Sequence, residues 1–432
     1  MQRLGRGIGY TLLLNALSTA LVFLASVVFA RLLNVSDYGV YAYVVAVVNL
    51  LTVVVLVGFD RLVTREVAAR RDSGEWHVVG SLLTHANLTV LALSGVTLLV
   101  LTTGGIAIAG MNLSQATLAL WIGLLALPFA ALGRIRQAAL IGLQQLPAGL
   151  VPETVVRPAL LLAGPLVLGV LLGVSLTAVV AVGIFALASV AAFAVGSLLY
   201  LYLRPPELRH AGAGFAGGRW LRTSAELGLV AAAGMLVSQV DLLLLGTLAS
   251  AETTGQYAVA WRAAALIAFG LTAVNTPIGP LAARLWAAGD RESLQRAITS
   301  SARVATLIAL PVAAVFIVFG EGVLAVFGPA YQAAYWVLAI LSIGQLVNAA
   351  MGPVGMLLIM TGHHRTAVKG MAVGIAVTAL TSLALIPGFG AEGAAVAAAL
   401  GTVTWNVLLA RSVFVTLGLH TTALGPVRLQ KV

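Results

Sequence analysis

Long apolar runs, separated by short clusters of arginine, glycine and polar residues, set the pattern of this chain. They lie near 10–33, 39–59, 78–101, 114–133, 151–173, 175–203, 224–248, 255–283, 303–327, 335–361, 366–387 and 392–417. Each is close to the ~20 residues an α-helix needs to cross the hydrocarbon core of a bilayer. Runs such as Leu12–Leu33 and Gly39–Phe59 lack the apolar–polar alternation of a barrel strand. In lipid, backbone polar groups must be satisfied within a helix or around a closed barrel. The pattern therefore predicts an all-α integral membrane protein with about twelve transmembrane helices. The joint between the fourth and fifth spans is the least marked, because Ile135–Leu150 is itself apolar.

Composition agrees. Of 432 residues, 60% are apolar and 9% charged, against about 25% charged in soluble domains, and mean hydropathy is +1.05. So few charges cannot cover a water-soluble surface of this size. The net charge of +10 does not point to nucleic acid, since the basic residues recur between apolar runs and are not gathered on one face or tail. Absence of cysteine excludes disulfides, thiol catalysis and iron–sulfur ligation. Arg3 and Arg6 precede the first run as in a signal peptide, but that run of about 22 residues exceeds a cleaved apolar region. It reads as a retained helix.

The basic residues set the orientation. The N-terminus, the even-numbered loops and the C-terminus together hold 20 of the 24. Among them are Arg61, Arg65, Arg70 and Arg71, then Arg134, Arg136, Arg204 and Arg222, then Arg365, Lys369, Arg428 and Lys431. The other four, Arg31, Arg157, Arg262 and Arg411, lie in or at the edges of spans. The positive-inside rule then places both termini in the cytoplasm, and a multi-pass location in the cytoplasmic (inner) membrane is expected.

A repeat is visible. Asp37-Tyr-Gly39-Val-Tyr41-Ala42 follows the first span and Glu252-Thr-Thr-Gly255-Gln-Tyr257-Ala258 the seventh, and the two glycines are 216 residues apart, half the chain. Six helices per half give both halves one orientation. The expectation is two six-helix pseudo-repeated lobes around a central cavity: residues 1–203, a basic cytoplasmic linker 204–222, and residues 223–432 with a short tail. Parallel repeats of this kind suit a transporter with its site between the halves.

Soluble-enzyme signals are absent. Gly212-Ala-Gly214-Phe-Ala-Gly217 matches a dinucleotide fingerprint in form only, since it sits in the linker with no strand beside it. His363 and His364 have no partnering acid or thiol, so neither a metal nor a cofactor is expected. Asn34-Val-Ser36 and Asn112-Leu-Ser114 fit the glycosylation sequon in tight outer loops. No loop is long enough for a catalytic platform. The function is expected within the membrane, with no covalent chemistry.

Polar residues inside spans, each costing about 2.5–3.5 kcal/mol at a helix centre, are the informative ones. Asp241 lies past the middle of the seventh span and Arg262 inside the eighth. They are placed to pair across that hairpin or to face a cavity. Glu153 and Arg157 have the spacing of a helical ion pair. Arg31 is placed to snorkel to the outer head groups, about 140° round its helix from Ser26. Polar stripes join Asn15, Ser18, Thr19 and Ser26 on the first helix, Asn49, Thr52 and Asp60 on the second, and Ser342, Gln345, Asn348 and Gly352 on the tenth. Small-residue contacts are expected at Gly169-x-x-x-Gly173 and Gly370-x-x-x-Gly374. Recurrence of the stripes argues for a shared hydrated cavity. Pro277, Pro280 and Gly352-Pro353 are expected to loosen their helices.

Ala30-Arg-Leu-Leu with the Asp37–Ala42 motif, Gln239-Val-Asp241-Leu-Leu-Leu-Leu-Gly246, Gly255-Gln-Tyr257-Ala258-Val-Ala260, Thr361-Gly362-His-His-Arg365 and Pro387-Gly-Phe-Gly390-Ala-Glu-Gly393 resemble the polysaccharide flippases that move lipid-linked oligosaccharides. The likeness runs through nearly the whole chain. It implies two lobes rocking around a cavity, and a cargo of polyprenyl phosphate or diphosphate carrying a short glycan, with membrane lipid around it. Partnership with glycan polymerase machinery and coupling to protons or sodium also belong to that picture. In related lipid II flippases, cavity arginines on the first, second and eighth helices hold the diphosphate. Arg262 matches the eighth and Arg31 roughly the first, while no arginine lies within the second helix here. The candidate substrate-binding set is Arg262, Asp241, Arg31, Asn49, Gln345 and Asn348. Two rival readings are a cation-coupled multidrug exporter of the same fold, which would want an acidic, aromatic-rich cavity, and a membrane enzyme of glycan assembly.

Overall fold

The computed structural model describes residues 2–109, 114–209 and 217–426, with side chains for 13–104, 114–208 and 220–426 other than 269, 273, 276 and 277. Asn112, most of the glycine run 212–217, the Pro277 side chain and the basic tail residues Arg428 and Lys431 lie outside the described residues. Among the described residues there is helix and no strand.

Helix α1 (Gln2–Leu32) is followed at once by α2 (Val35–Leu56). Asn34 starts α2: its side chain accepts the Asp37 N–H at 2.7 Å and donates to the Asp37 carboxylate at 2.8 Å. That occupies an amide N–H with no partner inside the helix. Val57 (φ 46) and Gly58 (φ 78), both left-handed, then turn the chain into α3 (Phe59–Arg71). Asp60 therefore begins a separate helix and does not belong to the polar face of α2. The arginine-rich stretch read as a loop is this helix, because Phe59, Leu62, Val63 and Val67 recur at helical spacing and are buried.

Next come α4 (Trp76–Ala109), α5 (Gln115–Leu125) and α6 (Leu127–Gly142), of which α5 and α6 form one apolar stretch. The fifth span comprises α7 (Leu146–Val151), a π turn at Pro152–Val156, α8 (Arg157–Pro165) and a second π turn at Leu166–Leu171. Pro152, Pro158 and Pro165 remove N–H donors along it, and the hydrogen-bond ladder widens where they do so. Thr177 caps α9 (Ala178–Leu203). There follow α10 (Gly217–Leu248), α11 (Ala251–Ala287), α12 (Arg291–Val318), α13 (Gly320–Ala325), α14 (Tyr335–Met351), α15 (Val354–Met360) and α16 (His364–Leu417). Gly352 (φ 75) ends α14 where the Gly-Pro pair predicts a weak point, whereas α11 runs unbroken past Pro280.

Ten segments among the described residues are long and apolar enough to cross a membrane. One of them, α16, would be about 80 Å long at 1.5 Å per residue, more than twice the ~30 Å core. Non-helical Gly390 (φ 52, ψ −124) breaks it into two. With α11, an apolar helix of 37 residues, the spans number about twelve. The chain is a multi-pass helical membrane protein.

Packing separates two compact units, Met1–Met235 and Leu236–Val432, divided inside α10. In the first, the buried face of α3 packs with Leu127, Ala131 and Ile135 of α6. The N-terminal half of α10 approaches the α2–α3 turn so closely that a Cβ on Gly228 would lie 2.7 Å from the Val57 carbonyl carbon. In the second unit the two legs of α16 pack through small residues. A Cβ on Gly374 would lie 2.7 Å from that of Trp405, and one on Gly370 would lie 3.0 Å from Leu409 Cγ. Gly370-x-x-x-Gly374 thus makes the helix contact expected of it. Gly173 (φ 65) instead ends a π turn in open space. The segment after α16 is tied to α12: Gln295 exchanges hydrogen bonds with the backbone of His420, at 2.7 and 2.9 Å, and Arg303 donates to the Ala423 and Gly425 carbonyls.

Candidate functional site

Ser250 caps α11 as Asn34 caps α2, accepting the Thr253 N–H at 3.1 Å. Further along α11, Tyr257 faces back towards α10. There the Tyr257 hydroxyl donates to Asp241 Oδ2, and the Leu242 N–H donates to Oδ1 at 2.8 Å. Both side chains are buried, Asp241 at 4% exposure and Tyr257 at 0%. The expected pairing of Asp241 with Arg262 does not occur. Tyr257 and Arg262 are five residues apart on α11, which puts them about 140° apart round the helix, and only the tyrosine faces the acid. Arg262 is half-buried, with its guanidinium over the Trp261 ring at 5.6 Å.

Asp241 lies on the wall of a cavity of about 310 Å³ within the second unit. Trp261 of α11, Gln345 and Asn348 of α14, and Thr402 and Trp405 of α16 share that wall. The amides are linked in a row: Asn406 Nδ2 donates to Asn348 Oδ1 at 3.0 Å and Asn348 Nδ2 to Gln345 Oε1 at 3.3 Å. Asn406 also donates to the Thr402 carbonyl at 2.9 Å and is fully buried. Its Oδ1, the Trp405 Nε1 and the Ser342 hydroxyl are buried without a partner among the described residues. Spare donors and acceptors beside two indole rings can meet a ligand that has both apolar faces and hydroxyl groups.

Three of the six candidate residues, Asp241, Gln345 and Asn348, thus share one cavity. Arg262 stands next to it, over one of its walls. Arg31 and Asn49 belong to the first unit, Arg31 exposed near the end of α1 and Asn49 half-buried on α2. In that unit the polar stripes are turned inward on their own helices. Thr19, Ser26 and Thr52 donate to the carbonyls of Asn15, Val22 and Val48. Glu153 and Arg157 form the ion pair their spacing predicts, at 3.1 Å, and the guanidinium also lies 4.8 Å over the Phe185 ring. Sequence reasoning missed Trp261, Thr402, Trp405 and Asn406. The signal for the last three was a polar run inside the final apolar span.

The cavity lies inside a helical membrane unit and is walled by amides, indoles and one acid. The model of the family described as "Polysaccharide biosynthesis protein" matches residues 4–286, and the chain belongs to that family. Two Haloferax volcanii proteins are similar to it. A "probable low-salt glycan biosynthesis flippase" is 25% identical over 195 residues, 44% of this chain and 41% of that protein. A "probable flippase" is 28% identical over 181 residues, 41% of this chain and 38% of that one. The chain therefore matches well under half the length of either relative. Among solved structures, an inward-facing multidrug resistance MATE family transporter of the MOP superfamily superposes with TM-score 0.72 at 14% identity, covering 90% of this chain and 92% of that one. A lipid II flippase in an inward closed conformation gives 0.71 at 12% identity, covering 93% and 86%. These two likenesses establish the fold.

Proposed function

We propose that the chain is a flippase that moves a lipid-linked oligosaccharide across the cytoplasmic membrane by alternating access, for cell-surface polysaccharide synthesis. The observation that carries this reading is the cavity wall that joins two tryptophans to a row of amides. Indole rings pack on the C–H faces of sugars, and Gln345, Asn348 and Thr402 replace the water that glycan hydroxyls lose on entry. Membership of the polysaccharide biosynthesis family supports it, as do the names of the two haloarchaeal relatives.

In this reading Arg262, and Arg31 from the first half, offset the charge of a polyprenyl phosphate or diphosphate, while Asn49 adds a polar contact. Asp241, pinned by Tyr257, holds α10 and α11 in register at the cavity. Two lobes, residues 1–203 and 223–432 joined by 204–222, rock about the cargo, and Gly352 and Gly390 supply bending points. The polyprenyl tail stays among membrane lipids. Both termini lie in the cytoplasm. A cytosol-negative potential favours outward movement of an anion by about 2.3 kcal/mol per charge per 100 mV, and proton or sodium coupling would add to it. Glycan polymerase machinery is the partner downstream. The protein forms and breaks no covalent bond.

One observation favours a second reading. Asp241 shares its cavity with Trp261 and Trp405, the surroundings a lipophilic cation prefers, as in a cation-coupled multidrug exporter. The test is translocation in proteoliposomes of a labelled lipid-diphosphate oligosaccharide, read by its accessibility to an external glycosidase. Protein-dependent flipping that falls at least about tenfold (about 1.4 kcal/mol) in a folded Arg262→Ala variant is the expected result. Efflux of a cationic dye without glycolipid flipping would overturn it in favour of the exporter.

A further inference from the structure

The first unit holds a second cavity, of about 280 Å³, with different chemistry. Thr84 and Asn87 of α4, Arg136 of α6, and Ser197, Tyr200 and Leu201 of α9 line it, and Arg204 just past α9 closes it. The Arg136 guanidinium lies 5.4 Å over the Tyr200 ring, and Arg204 shares the wall with both. No acid lines the cavity, and among the described residues neither arginine forms an ion pair. Three buried polar atoms on its walls have no hydrogen-bond partner: Arg204 Nε, Ser197 Oγ and Asn87 Oδ1. Nearly all such atoms in folded proteins are satisfied. Here three orphans belong to residues that line one space, beside two positive charges with no acid among the lining residues.

We infer that this pocket binds a phosphate group, carried on the head group of a membrane lipid. Arg204 Nε and the Ser197 hydroxyl are donors without a protein partner, available to an anion. The Asn87 amide, turned about its last bond, offers a third. The two guanidinium groups supply the charge, and their planar forks match phosphate oxygens. The surroundings favour a lipid as the source. Leu201, on the pocket wall, is 48% exposed, and Leu88 and Leu198, next in chain to Asn87 and Ser197, are 61% and 67% exposed. A phosphate seated between α4 and α9 would leave its acyl chains against these leucines. Basic pockets between transmembrane helices are a recurring mode of binding for anionic lipid head groups. None of these residues belongs to the cavity of the second unit, so the site stands or falls apart from the flippase reading.

The test uses full-length protein in detergent with short-chain phosphatidylglycerol, phosphatidylcholine or inorganic phosphate, read by native mass spectrometry and by the thermal midpoint. The wild type is expected to retain phosphatidylglycerol in preference to phosphatidylcholine. Arg136→Gln and Arg204→Gln should each cut retention about fivefold. Ser197→Val removes an orphan hydroxyl at unchanged charge and similar volume. It should also weaken retention, and it keeps the test valid where the arginine variants do not fold. Saturation by inorganic phosphate, with displacement of the lipid, would support the phosphate site and make its ligand a soluble anion. Equal retention of phosphatidylglycerol by the wild type and by folded Ser197→Val and single-arginine variants would overturn the proposal.

Discussion

The two halves of the chain use one device to start their second helices and then fill the space behind it differently. The caps Asn34 and Ser250, the glycines Gly39 and Gly255, and the tyrosines Tyr41 and Tyr257 are all 216 residues apart. At the same spacing Ala25 stands for Asp241, Phe29 for Leu245 and Ala46 for Arg262. Tyr41 stacks on Phe29, with ring centroids 4.8 Å apart. Tyr257 donates its hydroxyl to Asp241. In both halves a capped helix turns a tyrosine onto the helix before it, but only the second half places charge there. Its amides link across helices, from Asn406 to Asn348, whereas the first-half hydroxyls of Thr19, Ser26 and Thr52 bond their own helix. The repeat thus supplies a common backbone, on which the second half places a carboxylate behind its tyrosine and the first half an aromatic ring.

The comparison can be broken by moving the charge. Ala25→Asp buries an acid where Phe29 and Tyr41 are stacked, and should cost about 3 kcal/mol or more of unfolding free energy in mixed micelles. Adding Phe29→Leu, which copies Leu245, should restore part of that loss. An unchanged unfolding midpoint for Ala25→Asp would show that the two sites behind the tyrosines do not differ in polarity as described.

A smaller effect is expected from Tyr257→Phe, which leaves the Asp241 carboxylate without its hydroxyl and should cost about 2 kcal/mol. Combined with Asp241→Ala, the loss should be less than the sum of the single losses, with a coupling of about 1.5–3 kcal/mol. Coupling near zero would mean that the bond contributes nothing. Further down the scale, Asn34→Ala and Ser250→Ala should each cost about 1 kcal/mol, and clearly unequal costs would show that the shared cap has itself diverged.

The smallest effect concerns Asp290, the exposed cap of α12, whose carboxylate accepts the Ser293 N–H at 3.0 Å. That hydrogen bond, to the charged form, holds its pKa below the ordinary carboxylate value. A carboxyl with a lowered folded pKa contributes stability above its unfolded pKa and loses it as pH falls through the folded one. The difference in thermal midpoint between wild type and Asp290→Ala should therefore be present at neutral pH and shrink in acid. A difference that grew in acid would reverse the assignment.

The twelve spans were legible because lipid imposes a length and an apolarity that a sequence displays directly. The repeat was legible because cap, glycine and tyrosine are local signals. α3 was hidden by its arginines, which mask an apolar face of only four residues. At the site, Gln345 and Asn348 stood out as a stripe on one helix. The partner of Asp241 did not, because depth in the membrane is readable from position along a span, whereas rotation about the helix axis is not. Asp241 and Arg262 each lie inside a span, and only packing decides that Tyr257 meets the acid. Thr402 and Trp405 reach the cavity because the Gly390 break folds the two legs of α16 against each other, a tertiary event with a weak local signal in a glycine-rich stretch.

The Asp241–Tyr257 bond also sets an order of events during synthesis. The acid leaves the ribosome 16 residues before the tyrosine, an interval of about one to three seconds at ~5–20 residues per second. Until then α10 carries a carboxylate costing up to about 3 kcal/mol in hydrocarbon, offset in part within its own segment by the Leu242 N–H. Arrival of α11 brings the Tyr257 hydroxyl to the acid and lowers that cost, so a substitution at Tyr257 is expected to act on insertion as well as on the finished protein.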